Sequence, residues 1–263
     1  MSGGNFNAGL NLRGAFAIFK HELMRAFRTI FGSIVSPVIT TSLYLVVFGA
    51  AMQGVMPGMG GAGGYGAFIV PGLLMLTLLS ESTSNASFGI YMPKFTGAIY
   101  ELLSAPVGVT ETLIGFVGAA AVKSLILAAI IMGTAAFIVD YEVAHPILAV
   151  GYINLVSASF SLFGFIIGLW ADGFEKLQIV PLLILTPLTF LGGTFYPISV
   201  LPEPWQTIAM VNPIVYLVSG LRWTFLGTAD FPIALSFGMT IGFLVACIVV
   251  IALLFKTGWR LRE

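Results

Sequence analysis

The chain has 263 residues, of which 58% are hydrophobic and only 8% charged, and its mean hydropathy is +1.03. A soluble domain carries roughly 25% charged residues, so this composition excludes a soluble core and makes lipid the solvent for most of the chain. Lys plus Arg and Asp plus Glu balance at 11 each, which argues against nucleic acid or an acidic macromolecule as partner. The fold class expected is an all-α integral membrane protein, a single transmembrane domain over residues 1–263.

The first sixteen residues, MSGGNFNAGLNLRGAF, lack the order of a signal peptide, a short basic region followed by an apolar block. Residues 12–30 then carry a helical stripe. Leu12, Phe16, Phe19, Leu23, Phe27 and Ile30 recur at spacings of 4, 3, 4, 4 and 3, which confines them to about 80° of arc at 100° per residue. Arg13, Lys20, His21, Glu22, Arg25 and Arg28 take the remaining surface. This pattern predicts an amphipathic helix lying in the membrane interface.

A membrane-crossing helix needs about 20 mostly apolar residues. Six stretches qualify: 31–52, 67–92, 107–139, 147–170, 178–196 and 234–255. The third is long for one span, and its first turns, to about Glu111, are expected at the interface. The connector 54–66, GVMPGMGGAGGYG, is glycine-rich but lacks the Lys-Ser or Lys-Thr ending of a phosphate loop. Residues 92–106, MPKFTGAIYELLSAP, are expected to form a short helix bounded by Pro93 and Pro106.

Residues 190–217 are apolar enough for a further span, yet hold Pro197, Pro202, Pro204 and Pro213. Charge decides their placement. With six spans, nine of the eleven basic residues, Lys94 and Lys176 among them, fall on one side together with both termini. The positive-inside rule makes that side the cytoplasm. Residues 197–231 must then start and finish outside, and residues 256–263 form a cytoplasmic tail. Broken backbone at membrane depth is tolerated only where protein covers it or water reaches it. A re-entrant helical hairpin is therefore expected, with Trp205, Tyr216 and Trp223 at interfacial positions and Asn212 and Arg222 among its polar residues.

The chemistry of an enzyme is missing. There is no nucleotide motif and no metal-ligand cluster, and His21 and His145 fall on opposite sides of this threading. Cys247, the lone cysteine, lies in an apolar run. No catalytic, cofactor or metal site is assigned to this chain. Two ionisable groups, Glu81 and Lys123, sit well inside spans two and three at similar depth. Each costs about 2.5–3.5 kcal/mol at mid-bilayer unless paired or wetted. An ion pair between neighbouring antiparallel spans is the economical reading, and a proton or substrate site the alternative. The GxxxG patterns at Gly164/Gly168 and Gly238/Gly242 are read as packing within the chain.

The order of these elements, with the phrases FIVPGLLMLTLLSESTSNASFGIYMPKFTGAIYELLSAPV (68–107) and FLGGTFYPISVLPEPWQTIAMVNPIVYLVSGLRWTFLG (190–227), resembles the type-2 ABC exporter permeases. The second phrase, with its Asn-Pro and Arg-Trp pairs, is similar to that family's signature region. Within the family the likeness is to the drug and lipo-oligosaccharide exporter branch. The resemblance implies a homodimer in a bacterial inner membrane, joined to two copies of a separate ATP-binding subunit that hold ATP and Mg. It implies an amphipathic or lipid-linked cargo that moves along a dimer interface lined by spans one, two and five. It also implies that 92–106 docks on the ATPase, through Phe95, Ile99, Leu102 and Leu103 with Lys94 and Glu101 at the edge. The rival classes are a gradient-driven carrier or channel without an ATPase and, less favoured, a membrane-embedded enzyme.

Overall fold

The computed structural model describes residues 11–28, 30–52, 54, 63–98 and 107–257. Among these residues every regular element is helical. Helix α1 (Leu12–Arg28) comes first. Span one (Phe31–Met52) opens with a π turn, Phe31–Val35, and continues as α2 (Ser36–Met52). Spans two, three and four are α3 (Gly64–Thr96), α4 (Val109–Ala136) and α5 (Pro146–Trp170). Span five (Phe174–Leu191) consists of α6 (Phe174–Ile179), a π segment (Val180–Leu185) and α7 (Thr186–Leu191). A 3-10 turn (Ile198–Val200), α8 (Glu203–Val211) and α9 (Pro213–Leu226) follow, and α10 (Ile233–Thr257) carries span six.

Among the described residues six helices are long and apolar enough to cross a membrane, the number expected, and the pair bent at Asn212 is either a broken seventh span or a re-entrant loop. Span two is the longest, with 33 residues. At 1.5 Å per residue it reaches about 50 Å, beyond the roughly 30 Å of hydrocarbon. It is also the best covered. Ile69, Leu73, Leu74, Met75, Leu78 and Leu79 are buried against Leu127 and Ile131 of span three, Tyr152 and Val156 of span four, and Leu217 and Leu221 of α9.

Small residues set the closest contact in this core. A side chain at Gly164 or Gly168 of span four would collide with the span-two backbone at Thr83 or Ser87. The first GxxxG pattern therefore packs within the chain, as expected. The second does not, because no neighbouring atom lies within 4 Å of the positions a Cβ would take at Gly238 and Gly242. Span six is overlaid on one side only, and the spacing of two glycines cannot say which side that is.

The expected helix bounded by Pro93 also differs. Pro93 lies inside α3, which continues to Thr96 and ends at Gly97 in the left-handed region with φ of +80°. Tertiary contacts carry the helix past the proline. Lys94 Nζ donates to the carbonyls of Leu169 and Ala171 at 3.0 and 3.1 Å. The ring of Phe95 lies 5.1 Å from that of Phe174. The remainder of 92–106 beyond residue 98, most of the glycine-rich connector and the tail after Thr257 lie outside the described residues.

Candidate functional site

Three groups of residues organise the interior. The first is at mid-bundle, where Lys123 Nζ donates to Glu81 Oε2 at 3.0 Å. Beside the pair, Ser82 Oγ and Ser124 Oγ meet at 2.9 Å, again joining spans two and three. The pair is asymmetric. The Lys123 side chain is 4% exposed, whereas that of Glu81 is 22% exposed. The open side of Glu81 faces a cavity of about 280 Å³ between spans one, two and five. Ser36, Thr40, Thr41 and Tyr44 line it from span one, Thr77, Ser80 and Glu81 from span two, and Thr186 and Phe190 from span five. Thr41 Oγ1 and Thr77 Oγ1 meet across it at 3.0 Å.

The second group lies at the end of the bundle where the proline-rich segment returns. The helices α8 and α9 bend by 88° at their junction. With 14 residues, α9 extends about 21 Å, too short to cross. Pro204 and Pro213 occupy the first turns of α8 and α9, where a missing N–H costs nothing, and Pro197 and Pro202 sit in extended backbone beside the 3-10 turn. Asn212 caps α9 by accepting from Ile214 N at 3.0 Å, and its amide donates to Leu188 O of span five. Asn-Pro at this point is thus a cap followed by a preorganised first turn.

Arg222 closes the segment. Its guanidinium donates to Gly193 O, just after span five, and to Asp230 Oδ2, just before span six, and it lies 4.0 Å over the Phe68 ring of span two. One side chain therefore holds the entrance and the exit of the segment together. Ser219 Oγ adds bonds from the backbone N–H of Asp230 and Phe231 at 3.1 Å. His145 and Trp223 rings stand 4.5 Å apart, and the N–H groups of Ala144 and His145 cap the carbonyls of Phe225 and Thr224. Trp205 is half exposed on α8. Asp230 and Ser219 escaped the sequence reading. A lone Arg in an apolar helix with an acid eight residues on was the available signal.

The third group ties α1 to the opposite end. Ala15, Glu22 and Ala26 are buried, while Leu12 and Phe16 of the apolar stripe are exposed. The small-residue face docks on spans two and three; of the stripe, Phe27 packs on the core and Phe19 lies against Gly118, while the Leu12 and Phe16 end looks outward. Glu22, expected on the solvated face, is instead buried in an ion pair with Arg25 at 2.7 Å. Arg25 also donates to Asn85 O of span two at 3.2 Å, over Gly89, where any side chain would crowd Glu22 and Arg25. Asn11 N donates to Glu111 Oε1 at 3.0 Å. Of the residues proposed to meet an ATPase, Lys94 is engaged in capping span four and Phe95 is exposed. Ile99, Glu101, Leu102 and Leu103 lie outside the described residues.

A helical bundle in which six of the described helices are long and apolar enough to cross a membrane, with a cavity lined by Glu81 and several hydroxyls, defines a polytopic membrane protein. Comparison with known proteins narrows the class. The pattern of the family described as "ABC-2 type transporter" matches residues 13–226. The inner membrane transport permease YadH of Escherichia coli (strain K12) is 35% identical over 94% of this chain and 96% of its own length. Nodulation protein J of Rhizobium leguminosarum bv. viciae is 27% identical over 81% of each chain, and that of Rhizobium meliloti (strain 1021) is 25% identical over 81% of this chain and 80% of its own. The chain belongs to the ABC-2 type transporter family.

Proposed function

We propose that this chain is the membrane-spanning permease subunit of an ATP-driven exporter in a bacterial inner membrane, with both termini cytoplasmic. A separate ATP-binding subunit, in two copies holding ATP and Mg, supplies the energy, and a second copy of the permease completes the path. The cargo is an amphipathic or lipid-linked molecule. The observation that carries this reading is the polar cavity between spans one, two and five, two of which are otherwise apolar and largely uncovered. An amphipath can place its polar head in such a cavity while its tail stays in lipid.

The rival, a gradient-driven carrier, would have to work through Glu81 and Lys123, since these are the ionisable groups set deep in the spans. The bond from Lys123 to Glu81 matches each charge with the other, which supports a fixed pair over a proton relay. The test is transport by proteoliposomes holding the permease with and without an ATPase encoded beside it. Export should need ATP, fail when the ATPase phosphate-loop Lys is changed, and survive dissipation of ion gradients. Export by the permease alone, abolished by an ionophore, would overturn the reading. Changing Phe95, Ile99 and Leu102 together to Asp should abolish co-purification of the ATPase while the permease still inserts. Co-purification at undiminished yield would remove residues 92–106 from the docking site.

A further inference from the structure

The Glu81–Lys123 pair is built unequally, and the inequality points toward the cavity. A purely structural pair gains most when both charges are sealed and fully hydrogen-bonded, and even then an apolar replacement is often as stable. Here only the lysine is sealed. Glu81 uses Oε2 for Lys123, and among the described residues Oε1 has no hydrogen-bond partner. A carboxylate offers about four lone-pair sites, so most of its accepting capacity is unused by the protein and faces the cavity.

The other polar groups on the wall divide in two. Thr41, Thr77 and Thr186 hydroxyls are engaged, with each other or with the carbonyls of Leu73 and Pro181. Ser36, Thr40, Tyr44 and Ser80 hydroxyls have no hydrogen-bond partner among the described residues, and none is a buried orphan. The volume of about 280 Å³ falls just below the range for small-ligand sites, roughly 300–1,000 Å³. It holds a head group, not a whole lipid. The walls that flank it on spans one and five, Ile39, Leu43, Leu182 and Leu183, are exposed and apolar, so a tail can leave sideways along them.

We propose that this cavity is the polar-head subsite of the export path, and that Glu81, fixed by Lys123, is its specificity-determining acceptor. It selects cargo whose head carries hydrogen-bond donors, whether hydroxyl or N–H, over heads that only accept. Lys123 orients the carboxylate and prevents an unpaired negative charge, so a cation without donors gains little from the site. The proposal rests on the exporter reading above for the path it serves.

The test uses the full-length permease in lipid nanodiscs, in a Cys247→Ala background, with Thr40→Cys or Ser36→Cys as a reporter on the cavity wall. The rate of N-ethylmaleimide labelling is followed with four probes that share one twelve-carbon tail: dodecylamine, dodecyl glucoside, dodecyltrimethylammonium and dodecylphosphocholine. At least one donor-bearing probe, the amine or the glucoside, should slow labelling fivefold or more, and which of them does so identifies the donor. The two probes without donors should leave the rate within twofold. Glu81→Gln should reduce the protection at least fivefold. If that variant does not accumulate, the pair Glu81→Gln with Lys123→Gln, which leaves no unmatched charge, takes its place. Equal protection by trimethylammonium would mean simple attraction of cations and would overturn the proposal. So would protection by all four probes, which reports only the tail, or no labelling of either cysteine, which means a closed cavity. The measurement contains no ATPase or nucleotide. Loss of ATP-driven export with selective protection intact would therefore sink the exporter reading alone, and the reverse result would sink this one alone.

Discussion

Spans two, three and four form one kind of structure and spans one, five and six another. In their apolar stretches 78%, 50% and 61% of residues are buried for the first set, against 17%, 22% and 17% for the second. The first set has backbones pressed together at glycine, with charges paired and helix ends capped by side chains. The second leans on it with one side and leaves the rest uncovered. The difference teaches that hydropathy does not report burial. Span six has the highest hydropathy, 2.8, with 17% of its stretch buried, yet spans two and five share the lowest, 1.4, with 78% and 22% buried. Span two keeps polar residues at its middle because neighbours satisfy them, whereas span five carries its charges at its end, where Lys176 pairs with Asp172.

The comparison can be broken most forcefully at Arg222. Removing one partner of a buried ion pair costs about 3–5 kcal/mol, and Arg222 also holds Gly193 O. Arg222→Ala should therefore abolish recovery of monodisperse protein by size-exclusion chromatography in mild detergent. Near-normal recovery would mean that the hairpin is not clasped by this residue.

Next come the glycines. Gly164→Val forces a side chain into the span-two backbone, and overpacking of this kind costs typically about 1–3 kcal/mol. Gly242→Val faces open space and should cost less than about 0.5 kcal/mol, like other substitutions away from packed features. Thermal unfolding monitored by a tryptophan signal should show a clear drop in Tm for the first and none for the second. Equal drops would mean that span six is covered in the assembled protein, which would place a partner copy on that face.

For Glu81 and Lys123, each Ala variant should destabilise the fold, and the double variant should lose less than the sum. Coupling of roughly 0.5–3 kcal/mol is usual for residues in contact. Exchange of the two, Glu81→Lys with Lys123→Glu, should restore part of the loss. Additive losses without rescue would remove the pair from the structural frame. The smallest effect is expected at Leu183, exposed on span five. Leu183→Ala should leave Tm within experimental scatter in detergent, yet weaken self-association if a second copy covers that face, as cross-linking yield in membranes would report.

Much of this was legible in the sequence. Spans announce themselves because each needs an unbroken apolar run, and the boundaries at Phe31–Met52 and Trp170 coincide with the reading. The depth match of Glu81 and Lys123 follows from counting residues along two antiparallel helices. What was illegible depends on which face meets which neighbour. The stripe of α1 is plain, but a stripe cannot say that Ala15 and Ala26, on another face, are what docks. Glu22 reads as a solvated charge until Arg25 and Gly89 are seen to enclose it. Pro93 reads as a helix stop, since the hold of Lys94 on Leu169 and Ala171 is a contact across 75 and 77 residues.

The π turns at Phe31–Val35 and Val180–Leu185 have a consequence for the gene. A π turn is an α-helix carrying one extra residue. Deleting a single codon there would restore an ordinary α turn, and because the extra residue is taken up within the π turn itself, the helix beyond would keep its facing: Thr40, Thr41 and Tyr44 in span one, and Thr186 and Phe190 in span five, would still line the cavity. The same deletion in the regular helix just beyond, at Val38 for example, would rotate everything after it by about 100°. In-frame single-codon deletions within Phe31–Val35 or Val180–Leu185 should thus spare the path, whereas deletion of Val38 should abolish it.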